Sequence, residues 1–144
     1  MTGPNGLGCL LACGTLLIVI AGSGCLAPSN PGEIQGMPIL ETITAEEALL
    51  LIEENPDITI IDVRTTREYE TGHIPGAVNI PASTTFIDWD LDPDIPYLVY
   101  CAAGGRSSSA LRIMGEYGFT RVYNLRGGIA AWERAGGTVT LGSG

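Results

Sequence analysis

The chain has 144 residues, 45% of them apolar, which suits one folded domain with an appendage and argues against general disorder. Its net charge is −9, and seven basic residues against sixteen carboxylates argue against binding to DNA or RNA. All seven cations are Arg, so Schiff-base and P-loop lysines are ruled out, and a single His rules out a multi-histidine metal centre. No metal or other cofactor is expected.

From Leu7 to Leu26 no side chain is charged, and Leu16-Leu17-Ile18-Val19-Ile20 is continuously apolar. A membrane span needs ~20 such residues, so the segment reads as an export signal or an anchor. It breaks into Gly22-Ser23-Gly24-Cys25. That ending resembles the lipobox of bacterial and archaeal lipoproteins, where cleavage precedes a cysteine that is lipidated. The resemblance implies lipidation at Cys25 and attachment to the outer side of the cytoplasmic membrane; a single-pass anchor is the alternative. Three Pro and two Gly within residues 27–38 mark a tether. The expected division is 1–25 signal or anchor, 26–38 tether and 39–141 folded domain. Cys9, Cys13 and Cys25 all precede the domain, which leaves Cys101 as its single thiol and no disulfide framework.

Within the domain, Thr44-Ala45-Glu46-Glu47 forms a capping box. Ala45, Ala48, Leu49 and Ile52 continue at helical spacing to about Glu54, and Asn55-Pro56-Asp57 stops the helix. Ile58–Val63 is a β-branched run and predicts a buried strand. A short helical turn follows at Arg67–Thr71, then a short strand at Ala77–Ile80 between Gly76 and Pro81. Asp residues alternate from Asp88 to Asp94, but a calcium loop begun at Asp88 would need Gly at Pro93 and Glu at Val99. The stretch is read as a solvated acidic loop. Tyr97–Tyr100 is a second buried strand, ending at Cys101. A helix over Ser107–Tyr117 carries Ala110, Leu111, Met114 and Tyr117 on one face and stops at Gly118. Arg121–Leu125 is a strand, Gly127-Gly128 a turn, and Ile129–Ala135 a closing helix. This alternation predicts a parallel sheet with helices on both faces.

The chemistry concentrates after the strand Tyr97–Tyr100, in Cys101-Ala102-Ala103-Gly104-Gly105-Arg106-Ser107. The strand delivers a thiol to its carboxyl end, where ligands sit in open parallel sheets. Small residues at 102–105 let successive backbone N–H groups form an anion-binding nest, and a helix N-terminus adds partial positive charge. Arg106 adds a full one. Each effect favours thiolate over thiol, so a depressed Cys101 pKa and a sulfur nucleophile are expected.

The loop Cys101-x-x-Gly104-x-Arg106 resembles the active-site loop of rhodanese-type sulfurtransferases. Asp62-Val63-Arg64, Glu68-Tyr69 and Gly72-His73-Ile74-Pro75-Gly76-Ala77 resemble the upstream signature of that family. Gly118-Phe119, Val122, Leu125, Gly127-Gly128, Ile129 and Trp132 resemble its C-terminal one. The likeness spans roughly residues 40–136. It implies a doubly wound α/β domain with a five-stranded parallel sheet flanked by helices. It also implies a two-step reaction. Cys101 takes sulfur from thiosulfate or a persulfide, and a thiol or cyanide then removes it. A partner protein is a further possible donor or acceptor. Residues 102–105, Arg106 and Ser107 would line the donor site.

A single loop cation in a chain of charge −9 predicts only modest affinity for thiosulfate dianion. Cysteine phosphatases use Cys-x5-Arg after a His; here four residues separate Cys101 from Arg106, and Tyr100 precedes the thiol. The alternative of another class is a non-catalytic module that carries sulfur or docks a partner. Asp62 is expected either to orient Arg106 or to stabilise a turn. Arg64 is expected to have a structural role, with Glu68 as a candidate partner, His73 to hold a turn or act as a base, and Trp132 to close the core.

Overall fold

The computed structural model describes residues 37–84 and 89–142. The expected export or anchor segment with Cys25, residues 26–36 of the tether, and Asp88 of the acidic loop lie outside the described residues.

Nine elements follow one another: β1 (Ile39–Ile43), α1 (Ala45–Glu54), β2 (Thr59–Asp62), α2 (Thr66–Glu70), β3 (Val78–Asn79), β4 (Tyr97–Tyr100), α3 (Gly105–Glu116), β5 (Arg121–Leu125) and α4 (Gly128–Arg134). The five strands form one parallel sheet in the order β1-β5-β4-β2-β3. β4 lies at the centre and is buried along its whole length, which is why its sequence is an unbroken apolar run.

Successive residues of a strand face opposite sides of the sheet, and the core divides accordingly. Leu98 and Tyr100 face the layer of α1, α2 and α4, packing with Ile43, Ala48, Ile60, Leu125 and Trp132. Tyr97, Val99 and then Cys101 belong to the α3 side, with Ile61, Ala110, Met114 and Val122. The doubly wound α/β architecture with a five-stranded parallel sheet is therefore present.

Thr44 caps α1 reciprocally with Glu47, as its sequence predicts. β1 is an element that the sequence did not announce. It pairs with β5 at the sheet edge, and only Ile43 of its five residues is buried. An edge strand exposed on both faces has no alternating pattern to read.

The chain runs from β2 outward to β3 on one side of the sheet, then returns to the centre at β4 and continues to β5 on the other. The winding reverses between β2 and β4, where Asp62 lies in register with Tyr100. Ligands bind beyond the carboxyl ends of strands at such a reversal. The residue placed there is Cys101.

Candidate active site

Cys101 follows β4 directly and is 2% exposed. Its Sγ accepts the Gly104 amide at 3.1 Å and lies 3.5 Å from Oγ of the fully buried Ser107. The chain turns around the sulfur because Gly104, the N-cap of α3, adopts φ +99°, a left-handed conformation open to glycine. The back of the loop is held by α4. The Ile129 amide donates to the Cys101 carbonyl at 2.9 Å, and the Ala130 amide reaches the Ala102 carbonyl at 3.4 Å. In a trans peptide the following N–H points opposite to the carbonyl. Tying the Ala102 carbonyl to α4 therefore turns the Ala103 amide towards the sulfur. Gly128 makes this approach possible, since a Cβ there would stand 2.2 Å from the Cys101 carbonyl oxygen.

Burial by itself raises the Cys101 pKa. The Ser107 hydroxyl and the amides of Ser107, Ala103 and Gly104 outweigh it, and the net result is a thiol held below its ordinary value. The cradle thus combines one side chain, the Ser107 hydroxyl, with three main-chain amides. The rate of alkylation by iodoacetamide should accordingly rise through a lower pH midpoint in the folded protein than in the same protein unfolded by denaturant. Coincident midpoints would show that the loop leaves the thiol unperturbed.

Arg106 stands on the first turn of α3. Its Nη1 and Nη2 donate to the two carboxylate oxygens of Glu68, at 2.9 and 2.7 Å. Glu68 is also the capping residue of α2, accepting the Thr65 amide at 2.9 Å and the Thr65 hydroxyl at 2.7 Å. The Arg106 pair holds the Glu68 carboxyl well below the usual carboxylate range.

Of the two roles expected for Asp62, the structure gives it the turn-stabilising one. Asp62 does not orient Arg106; it is fully buried and binds Arg64, through Nη2 at 2.6 Å and Nε at 3.0 Å, and accepts the Arg64 amide at 2.9 Å. Arg64 correspondingly does not pair with Glu68. Arg64 lies just past the end of β2, where the chain bends and the Asp62 carboxylate accepts its amide, whereas α2 begins only at Thr66 and gives Arg64 no helical neighbour at Glu68. Arg64 also donates to the Gly72 carbonyl and lies over the Tyr100 ring, and Asn79 donates to the carbonyls of Asp62 and Arg64. This buried network braces the segment beside the loop.

His73 is buried and stacked on Tyr69, with Nδ1 3.1 Å from the Tyr69 carbonyl oxygen. Its backbone pairs with Thr140. Those contacts give it the turn-holding role. Trp132 closes the core as expected, its Nε1 donating to the Thr138 carbonyl. Ala102 is half-buried, while Ala103 and Gly105 are exposed at the mouth of the loop. The sequence did not assign Glu68 to Arg106, nor the α4 amides to the loop. The Thr65-x-x-Glu68 spacing was the available signal for the first, because a capping glutamate is fixed in place.

The Rhodanese-like domain family model matches residues 44–135. The chain is 33% identical over 99 residues to a sulfurtransferase of Allochromatium vinosum, covering 68% of this chain and 92% of that protein. It is 33% identical over 94 residues to a thiosulfate sulfurtransferase of Pseudoalteromonas translucida, covering 65% and 89%. Among solved structures, a rhodanese-related protein from Thermoplasma volcanium superposes with a TM-score of 0.61 at 34% identity, covering 70% of this chain and 98% of its own.

Proposed function

The chain belongs to the rhodanese-like domain family, and from that premise we propose that it is a sulfurtransferase that carries sulfane sulfur on Cys101. The supporting observation is the cradle itself: a lone thiol at the sheet's reversal point, with amide hydrogens converging on its sulfur. In the first step the thiolate attacks the outer sulfur of the donor. The donor's S–S bond breaks, its leaving group departs with the electron pair, and Cys101 holds a persulfide anion. Amides aimed at that charge stabilise it as an oxyanion hole stabilises oxygen. A thiol acceptor, or cyanide in an assay, then attacks the terminal sulfur, and the Cys101 thiolate is regenerated. The turn is too short for the Cys-x5-Arg phosphate loop, and Arg106 is engaged by Glu68.

We place the domain on a membrane through its N-terminal segment, on the support of the uncharged run Leu7–Leu26 and Cys25. Intact mass of the membrane-extracted protein reads both parts of the proposal. Lipidated cleavage at Cys25 removes the first 24 residues and adds acyl mass. Incubation with thiosulfate or a persulfide should add one sulfur, about 32 Da, that cyanide removes. Absence of that adduct with every donor would end the enzymatic reading.

A further inference from the structure

Arg106 is the cation that the loop brings beside the reactive sulfur, yet each of its terminal nitrogens donates to a carboxylate oxygen of Glu68. The carboxylate has little freedom to withdraw, because Thr65 holds its Oε2 from behind through an amide and a hydroxyl. The positive charge of Arg106 is thus cancelled by a negative one anchored in a different element. With the thiolate, the three groups sum to one negative charge. An incoming oxyanion would meet a guanidinium whose charge is already balanced by a bidentate carboxylate, and would gain little from the N–H groups that remain. The pair is only partly covered, with side-chain exposures of 39% for Arg106 and 35% for Glu68, so it lies where a donor would meet it.

On the premise that Cys101 transfers sulfur, we infer that Glu68 is a donor-selecting residue: by neutralising Arg106 it turns the site against dianions such as thiosulfate and towards sulfur donors of lower charge. The same carboxylate ties α2 to the loop, so its charge has to be separated from its support of the structure.

Thiosulfate and methanethiosulfonate make that separation. Each presents a terminal sulfur to the thiolate. One leaves sulfite and the other methanesulfinate, and they differ by a single negative charge, with methyl replacing an oxide oxygen. The quantity to measure is kcat/KM for thiosulfate divided by kcat/KM for methanethiosulfonate. Glu68→Gln keeps an oxygen that accepts from Thr65, so the cap of α2 survives while the charge goes. Glu68→Ala removes both. The ratio should rise about tenfold in both variants, the change lying in KM, since one charge is removed at short range from the donor. Added salt should raise the ratio in the original protein and raise it less in the variants.

A shift confined to Glu68→Ala, or an equal fall with both donors, would overturn the inference and leave Glu68 as a support of the loop. If the original protein takes sulfur from both donors and the ratio stays fixed in the variants, the inference alone fails. If it takes sulfur from neither, the sulfurtransferase reading fails as well, and the inference with it.

Discussion

Serine in place of Cys101 is expected to abolish the sulfur adduct and to cut turnover by at least about a thousandfold. The substitution changes one atom and leaves the amides of residues 103, 104 and 107 where they are. Those amides shift a thiol downward from a value already near neutrality, whereas an alcohol starts far above it and stays protonated in the same cradle. An oxygen at this position also offers no sulfur–sulfur bond in which to hold the transferred atom. Stability should move by no more than about 1 kcal/mol, because the side chains are nearly isosteric and a hydrogen bond to sulfur is weak. Mass spectrometry after incubation with donor, together with a cyanide-coupled rate, checks both halves. Turnover equal to that of the original protein would instead favour the non-catalytic module that carries or docks without reacting.

Alanine at Gly128 should be almost as damaging, although Gly128 has no functional group. Its φ is +60°, and an added Cβ would lie 2.2 Å from the Cys101 carbonyl oxygen and 2.6 Å from the Ala102 carbonyl carbon. Those neighbours are backbone and have no rotamer to change. The turn must open, which breaks the hydrogen bonds from the Ile129 and Ala130 amides that hold the loop. We expect a loss of about 3–5 kcal/mol and, in the fraction still folded, a thiol returned towards its ordinary pKa. Gly136→Ala is the control. Its φ is +87°, but nothing lies within 4 Å of the added atom, so it incurs backbone strain alone, about 1–2 kcal/mol. Denaturant midpoints that fail to separate the two variants would refute the close approach at Gly128.

The parts of this molecule legible in the sequence are those whose cause is local. The capping box at Thr44, the unbroken apolar run of β4 and the small residues after Cys101 each state their own structure, and the resemblance of three ordered segments carried the fold. β1 was illegible because its strand character comes from pairing with β5, and four of its five side chains are exposed. The partner of Arg64 was misassigned for a related reason. Proximity in the chain suggested Arg64 with Glu68, but the partner of Glu68 lies 38 residues away, brought near because α2 and α3 begin past the carboxyl ends of the neighbouring strands β2 and β4. Arg64 turns back instead to Asp62, the last residue of β2. Sequence spacing ranks ion pairs only where both residues belong to one regular element.

The cradle around Cys101 is made of three amides and the Ser107 hydroxyl, while Ala103 and the bare Gly105 are exposed. Reactivity and recognition are thereby written in separate alphabets. An uncharged residue that tolerates the local backbone can be exchanged at either position with the groups that tune the nucleophile left in place. A library of uncharged residues at these two positions would accordingly explore new sulfur acceptors while leaving intrinsic thiol reactivity close to constant.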